Sequence, residues 1–147
     1  MTISERINED YKSAMKQRDK LRIETLRMLR AQLQDAQIAK GGELEEGDVV
    51  AALTTAAKRR KEAIAAYRQA ERQDLSDQES AELEVISAYL PQQLSEAEVT
   101  ELIEHAIAEA QATSMKELGK VMSLVMPQLK GRADGKLVQQ IARAKLA

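Results

Sequence analysis

The chain contains 147 residues, of which 44% are apolar but only 2% aromatic, and its formal net charge is −2 at pH 7. This length suffices for one domain or two small domains with a buried core, and a core of Ala, Leu, Ile, Val and Met favours helices over strands. Because there is no cysteine, the composition excludes disulfides, thiol nucleophiles and cysteine-ligated zinc.

Apolar residues spaced by three and four positions predict the first two helices. Ser4 precedes the first stripe and is the expected N-cap of a helix over about residues 5–17. A second helix is expected to start at Asp19 and to stop at Gly41 and Gly42, since glycine commonly ends helices in the left-handed conformation. The stripes are Ile7, Tyr11, Ala14 and Met15 in the first helix and Leu26, Leu29, Leu33 and Ala36 in the second.

The third predicted helix, which begins at Asp48, has the most regular apolar stripe in the chain. Its members are Val50, Leu53, Ala57, Arg60, Ile64 and Tyr67. We expect the methylene groups of Arg60 to lie on the core while its guanidinium pairs with a carboxylate of the next helix, such as Glu82 or Glu84. The alternative is that Arg60 faces a ligand.

A proline and a capping motif mark the middle of the chain. The fourth helix, over about residues 76–89, is expected to end before Pro91, because proline disfavours α-helical geometry in the preceding residue. Ser95 and Glu98 then show the spacing of a capping box. A fifth helix is therefore expected to begin after Ser95.

Two further helices are predicted near the C-terminus. Ser114 and Glu117 repeat the capping-box spacing and predict the start of the sixth helix. This helix is expected to break at Pro127. Asp134 is the predicted N-cap of the seventh and last helix.

The seven predicted helices indicate an all-α fold with two parts. Four helices lie before Pro91 and three lie after Ser95. We therefore expect an N-terminal antiparallel helical bundle over residues 1–91, joined to a small three-helix domain over residues 95–147.

The charges are distributed unevenly along the chain. Residues 1–74 contain 15 basic and 13 acidic residues, residues 75–113 contain 0 and 9, and residues 114–147 contain 7 and 2. Two interpretations are equally favoured. The basic segment provides a surface for an anionic partner, or the segments neutralise one another within the chain.

The first residues include several acids and no apolar run, and no long apolar stretch occurs elsewhere. These features predict a soluble, cytoplasmic protein that does not interact with membranes.

No catalytic, metal or cofactor site is predicted. The single histidine, His105, has Glu101 and Glu109 four residues away on either side. These three side chains would hold a metal only weakly, and an exposed helix face is the preferred interpretation. The basic run 58–61 is not a flat patch, because successive helical residues differ by about 100° in direction.

The stretch from Gly119 to Lys136 combines glycines with positive charge. Gly119 weakens a helix by about 1 kcal/mol relative to alanine, which the close approach of a backbone or a ligand would explain. Gly131 suits the left-handed position after a helix, and Gly135 lies beside the free N–H groups that start the next one. A glycine-rich corner between two helices is the equally weighted alternative to an anion site. The candidate nucleic-acid-binding residues around this helix start are Lys120, Lys130, Arg132 and Lys136.

Several motifs in the chain resemble one family. Residues 119–122 read GKVM and residues 126–135 read MPQLKGRADG, while residues 59–62 read RRKE and residues 89–91 read YLP. Together these motifs resemble the GatB/YqeY family, and specifically its stand-alone YqeY-like members, over nearly the whole chain.

The resemblance implies an N-terminal helical bundle and a C-terminal helical domain of the GatB/YqeY type. The same module is appended to the GatB subunit of the tRNA-dependent amidotransferase and to some glutaminyl-tRNA synthetases, where it assists tRNA binding while other domains perform the chemistry. The family label refers to carbon–nitrogen ligase activity with glutamine as amido-N-donor, but no residues for an independent activity are evident here. The motif residues for which a structural role is implied are Gly119, Val121, Met122, Pro127, Gly131, Asp134 and Gly135.

The resemblance favours an accessory protein that binds tRNA, or a tRNA-charging or amidating enzyme, through its basic C-terminal helices. One alternative is a protein-interaction module without a nucleic-acid role, which would use the adaptable side chains of Met115, Met122 and Met126. A third hypothesis, an autonomous glutamine-dependent ligase, would require glutamine turnover by this chain alone.

Overall fold

The computed structural model describes residues 1–147 and contains seven α-helices and no strand. The all-α prediction is confirmed. A 3-10 turn at Met115–Glu117 leads into the sixth helix. The helices are α1 (Ile3–Gln17), α2 (Lys20–Lys40), α3 (Glu46–Gln69), α4 (Gln73–Ser87), α5 (Glu96–Ala110), α6 (Leu118–Leu129) and α7 (Gly135–Leu146).

The chain divides into two compact units, Met1–Leu90 and Pro91–Ala147. Each unit has its own core of aliphatic side chains, as expected for a chain without Phe or Trp. The fully buried residues of the N-terminal unit include Ile7, Leu26, Leu29, Leu53 and Ile86. Those of the C-terminal unit include Val99, Ile103, Val121, Val125, Leu129 and Val138.

The cap of α1 differs from the prediction. Thr2 is the N-cap, because its hydroxyl accepts from the N–H of Glu5 at 3.1 Å while the Glu5 carboxylate accepts from the N–H of Thr2 at 3.0 Å. Ser4 has no such partner, since the residue three positions later is the buried Ile7. The predicted cap was therefore wrong by two residues. The predicted limits of α2 at Asp19 and Gly41 are confirmed.

The third helix also begins earlier than predicted. Asp48 lies inside its first turn and accepts from the N–H of Glu45 at 2.9 Å, so Glu45 is the N-cap. The buried face is correspondingly shifted: Val49 is 1% exposed, whereas Val50 is only half-buried. Asp48 is the acidic residue at the third helical position of a capping box. In sequence such a residue resembles an N-cap, which explains why the start of α3 was predicted too late.

The fourth helix is displaced towards the N-terminus, since it spans 73–87 instead of 76–89. The connection before it folds α4 back onto α3 through Glu71, which has a φ of 58°. After α4 the side chain of Tyr89 is buried and its hydroxyl donates to the Asp10 carboxylate of α1. Burial, followed by the interaction with Asp10, raises the pKa of Tyr89 to about 12.

In the C-terminal unit the capping box of Ser95 and Glu98 is confirmed, with Ser95 Oγ accepting from the N–H of Glu98 at 3.2 Å. The second predicted box is wrong. Ser114 makes no side-chain capping bond, and the Glu117 carboxylate accepts instead from the N–H of Thr113 at 2.7 Å.

Pro127 does not break α6, contrary to the prediction. It lies inside the helix, which continues to Leu129 and is closed by the N–H of Lys130 donating to Met126 at 2.9 Å. Proline removes one hydrogen bond near the end of the helix. The burial of Val125 and Leu129 on the same helix offsets that loss.

Candidate nucleic-acid interface

A tight turn between α6 and α7 contains Lys130 and Arg132, two of the four predicted nucleic-acid-binding residues, and a third, Lys136, follows in the first turn of α7. After Leu129 the chain passes through Gly131, whose φ of 77° is the left-handed conformation expected for this glycine. The N–H of Arg132 donates to the Leu129 carbonyl at 2.9 Å. Lys130, Arg132 and Lys136 therefore flank a turn that backbone hydrogen bonds hold closed.

The start of α7 is already capped by a carboxylate of the chain. Asp134 is its N-cap, as predicted, and Asp134 Oδ1 accepts from the N–H of Lys136 at 3.0 Å. The negative charge of Asp134 offsets the positive end of the helix dipole. Attraction of an anion to this turn therefore depends mainly on the basic side chains.

Arg132 connects the segment before α5 to the turn between α6 and α7 through hydrogen bonds. Its Nε donates to the Gln92 carbonyl at 3.2 Å, and its Nη1 donates to the Gln128 carbonyl at 3.4 Å. Two more hydrogen bonds join the same segment to the turn. The Leu94 N–H donates to the Arg132 carbonyl at 2.9 Å, and the Gln93 side-chain amide donates to the Gly131 carbonyl at 2.7 Å. Since a guanidinium has five N–H donors, three donors of Arg132 stay available to an anion.

Lys120 lies away from the other three candidates. Its ammonium donates to the Ala110 carbonyl at 3.2 Å, where a cation is favourable because Ala110 is the last residue of α5. Lys120 is near the start of α6, and Lys130 follows its end, so about 15 Å of helix separates them. The four candidates do not form a single cluster.

The basic side chains of the C-terminal unit are largely without acidic partners. One of its seven basic residues forms an ion pair, with Lys145 Nζ 2.8 Å from Glu104 Oε1. The hydrogen bond from Lys145 lowers the pKa of Glu104. Neutralisation within this unit is therefore limited to that pair, and six basic side chains form no salt bridge.

Gly119 and Gly135 are not required by close packing. A Cβ built on Gly119 or on Gly135 has no atom within 4 Å. The expectation that another backbone approaches Gly119 is wrong. The close approach of a ligand is the other explanation for a glycine at this position. Val121 is fully buried and Met122 packs against the same core.

Arg60 lies in the N-terminal unit as predicted. Its side chain is 11% exposed, and its Nε is 3.2 Å from the Glu82 carboxylate and 3.6 Å from that of Glu79. The predicted pairing with Glu82 is confirmed, whereas Glu84 is exposed and unpaired. Burial and then the neighbouring Glu79 raise the pKa of Glu82 in spite of Arg60.

Neither a metal centre nor a membrane span is evident in the structure. No three His, Cys, Asp or Glu side chains come together in a way that would hold a metal ion. His105 is exposed on α5. No helix has both the length and the apolar character needed to cross a membrane.

Comparison with known proteins agrees with the resemblance seen in the motifs. A family model described as Yqey-like protein matches residues 4–146. The chain belongs to this Yqey-like family. A relative that is 28% identical, over 95% of this chain and 81% of its own length, is "Altered inheritance of mitochondria protein 41, mitochondrial" from Pyrenophora tritici-repentis (strain Pt-1C-BFP).

This relative contradicts the predicted cytoplasmic location, because its name places it in mitochondria. The prediction used an acidic N-terminus without an apolar run. Those features describe how a chain interacts with a bilayer, and they are equally compatible with the interior of an organelle. The prediction of a cytoplasmic protein was therefore wrong.

The Yqey-like chain also contains a polar cleft that sequence reasoning missed. It has a volume of about 730 Å³ and is lined by α1, α2 and the connection to α3, including Arg27 and Arg30. Arg27 Nε donates to the Tyr11 hydroxyl at 3.3 Å and thereby lowers the pKa of Tyr11, while Arg30 Nε donates to Asn8 Oδ1 at 3.0 Å. The spacing of the two arginines by three residues was the available signal, but the sequence did not show which α1 residues face them.

Proposed function

We propose that this Yqey-like protein is an accessory protein that associates with tRNA, or with tRNA-dependent amidotransferase or glutaminyl-tRNA machinery, without catalysis of its own. Binding takes place through the basic C-terminal helices. The main support is that six basic side chains of this unit lack a carboxylate partner. They are Lys116, Lys120, Lys130, Arg132, Lys136 and Arg143.

The four predicted residues differ in their environments, and we therefore assign them different roles in phosphate binding. Lys130 and Lys136 are exposed, and their side chains bond to no protein group, so they are the principal phosphate contacts in this proposal. Arg132 offers three remaining donors from a fixed position. The ammonium of Lys120 already donates to the carbonyl of Ala110 at the end of α5, so its role in phosphate binding is secondary. Contacts to phosphates provide affinity and position without selecting a base sequence.

The protein-interaction alternative receives less support from the methionines. Met115 is 42% exposed, whereas Met122 and Met126 pack against the core of the C-terminal unit. The three side chains therefore do not form a continuous exposed apolar surface. Their main contribution is to the core.

Titration of fluorescently labelled tRNA at several salt concentrations tests the proposal. The double variant Lys130→Gln/Lys136→Gln is expected to bind more weakly than the unmodified protein. Its slope of log K against log salt should decrease in magnitude by about 2, because each phosphate contact releases roughly one counterion. The control Lys16→Gln/Lys58→Gln removes the same charge from exposed positions of the N-terminal unit and should leave the affinity unchanged.

The absence of tRNA binding at low salt, or an affinity independent of salt, would contradict direct tRNA contact. An equal loss in the control would show that net charge alone is responsible. A protein partner that survives nuclease treatment, and that the Lys130→Gln/Lys136→Gln variant fails to capture, would instead support association with the charging or amidating enzyme.

A further inference from the structure

We propose that the cleft beside Arg27 and Arg30 binds a small phosphorylated ligand, namely a phosphate monoester on a polar scaffold. This cleft is in the N-terminal unit, and none of the C-terminal basic residues contributes to it. The inference therefore does not depend on tRNA binding.

The first argument is the orientation of the two guanidinium groups. In each, Nε is bonded to a neutral oxygen, from the Tyr11 hydroxyl for Arg27 and from the Asn8 amide for Arg30. The bonds to Tyr11 and Asn8 use Nε, which leaves the N–H donors on Nη1 and Nη2 of Arg27 for a ligand, while Arg30 also interacts with the Tyr11 hydroxyl. This planar fork matches the oxygens of a phosphate group and can bind them in pairs.

The second argument is that neither arginine forms a salt bridge, although Glu24 of the same helix has a weaker charge interaction with Arg27. Two other arginines of this unit are paired, Arg60 with Glu79 and Glu82 and Arg72 with Asp74, whereas exposed arginines such as Arg59 and Arg68 are not. Arg27 and Arg30 form no ion pair, although like charges three residues apart on a helix repel each other. A bound dianion would remove that repulsion.

The third argument is that Tyr11 holds the pair in place before any ligand binds. The guanidinium carbon of Arg30 lies 4.5 Å from the centroid of the Tyr11 ring, in a cation–π arrangement. The hydroxyl of the same tyrosine accepts from Arg27. One side chain of α1 thus orients both arginines of α2, which lowers the entropic cost of binding an anion.

The size and lining of the cleft favour a small ligand. Its volume of about 730 Å³ is within the range of small-molecule sites, about 300–1,000 Å³. Gln34 and Gln37 supply amides suited to hydroxyl groups or a base. Glu43 also lines the cleft and repels phosphate, so it favours a ligand whose phosphate is at the arginines and whose hydrogen-bond donors are near Glu43.

Calorimetry with AMP, glucose 6-phosphate, inorganic phosphate and adenosine as probes tests this site. We expect a phosphate monoester to bind more tightly than inorganic phosphate, and adenosine not to bind. Arg27→Gln/Arg30→Gln should weaken the binding of the monoester by about tenfold or more, since hydrogen bonds to charged groups are the stronger class. Arg27→Lys/Arg30→Lys, which keeps the charge but removes the fork, should show an intermediate loss.

The matched control is Arg59→Gln/Arg68→Gln, which removes two exposed arginines of α3 that form no ion pair. It should bind the probes as the unmodified protein does. Circular dichroism checks that each variant is folded, and NMR of the arginine side chains of the unmodified protein provides a readout that requires no variant. Ligand-dependent shifts are expected for Arg27 and Arg30.

Three outcomes would overturn the proposal. They are no binding of any phosphorylated probe at millimolar concentration, an equal loss in the Arg59→Gln/Arg68→Gln control, and an effect of the Arg27/Arg30 variants on tRNA alone. The Lys130→Gln/Lys136→Gln variant should retain monoester binding. Failure of this inference and failure of the tRNA proposal are therefore distinguishable.

Discussion

Gly119 and Gly131 lie at opposite ends of α6 in different environments. Gly119 is in its first turn with open space around the position of a Cβ, whereas Gly131 follows the helix with a φ of 77°. Gly119→Ala should raise the free energy of unfolding by about 0.5 kcal/mol. Gly131→Ala should lower it by about 1 kcal/mol, because alanine is strained in the left-handed region. Urea unfolding of both variants measures these opposite changes.

The Gly119→Ala variant also tests whether a ligand approaches the backbone at this glycine. If a ligand approaches the backbone at Gly119, the variant should bind tRNA less well although it is more stable. Unchanged tRNA affinity would show that neither packing nor tRNA binding requires this glycine. A loss of stability would contradict the open space seen around it.

Glu82 provides a pH-dependent prediction. Its pKa in the folded state is raised above the ordinary value of 4.5, first by burial. The folded state therefore keeps the proton at pH values where the unfolded state has released it, so this group's contribution to stability decreases as pH rises through the folded pKa. Because glutamine does not ionise, the stability of Glu82→Gln relative to the unmodified protein should increase between pH 4.5 and neutral pH.

Urea unfolding at both pH values measures this relative stability. Glu84→Gln is the control, because Glu84 is exposed on the same helix and forms no ion pair. Its difference from the unmodified protein should vary less with pH. A relative stability of Glu82→Gln that decreases with rising pH would contradict the argument.

At the scale of single residues, sequence predicted burial better than it predicted hydrogen bonding. The place of Arg60 in an apolar stripe was sufficient to predict its partly buried ion pair with Glu82. No comparable pattern showed that Arg132 donates to the Gln92 carbonyl, because that carbonyl lies 40 residues earlier and is brought to Arg132 only by the tertiary fold. The cleft arginines were missed for the same reason.

At the scale of helices, the apolar period predicted the existence of all seven, and the ends were less certain. Starts were correct where one polar residue had the required partner, as at Asp19 and Ser95. They were wrong where two candidates lay close together, as at Thr2 and Ser4. The continuation of α6 past Pro127 depends on the core that the helix buries, which local sequence rules do not include.

At the scale of the molecule, the segment 91–94 belongs to the C-terminal unit through its hydrogen bonds to the turn before α7. We expect a fragment of residues 91–147 to fold alone, since it has its own core and domains of about 55–65 residues commonly do so. A fragment of residues 95–147, the predicted domain, should be less stable by about 1–3 kcal/mol, because it lacks three hydrogen bonds of the segment.

Thermal unfolding of the two fragments, followed by circular dichroism, measures the difference. The shorter fragment should melt at a lower temperature. Equal melting temperatures would show that the bonds of Gln92, Gln93 and Leu94 contribute nothing to the unit. If neither fragment unfolded cooperatively, independent folding of the C-terminal domain would be contradicted.

The distribution of tyrosines gives the molecule a built-in spectroscopic probe. The chain has no tryptophan, and its three tyrosines, Tyr11, Tyr67 and Tyr89, all lie in the N-terminal unit. Intrinsic ultraviolet fluorescence therefore arises from that unit alone, and the C-terminal unit is silent. Tyr11 contacts both cleft arginines, so a change in its emission on adding a colourless phosphate monoester would report occupancy of the cleft without any label.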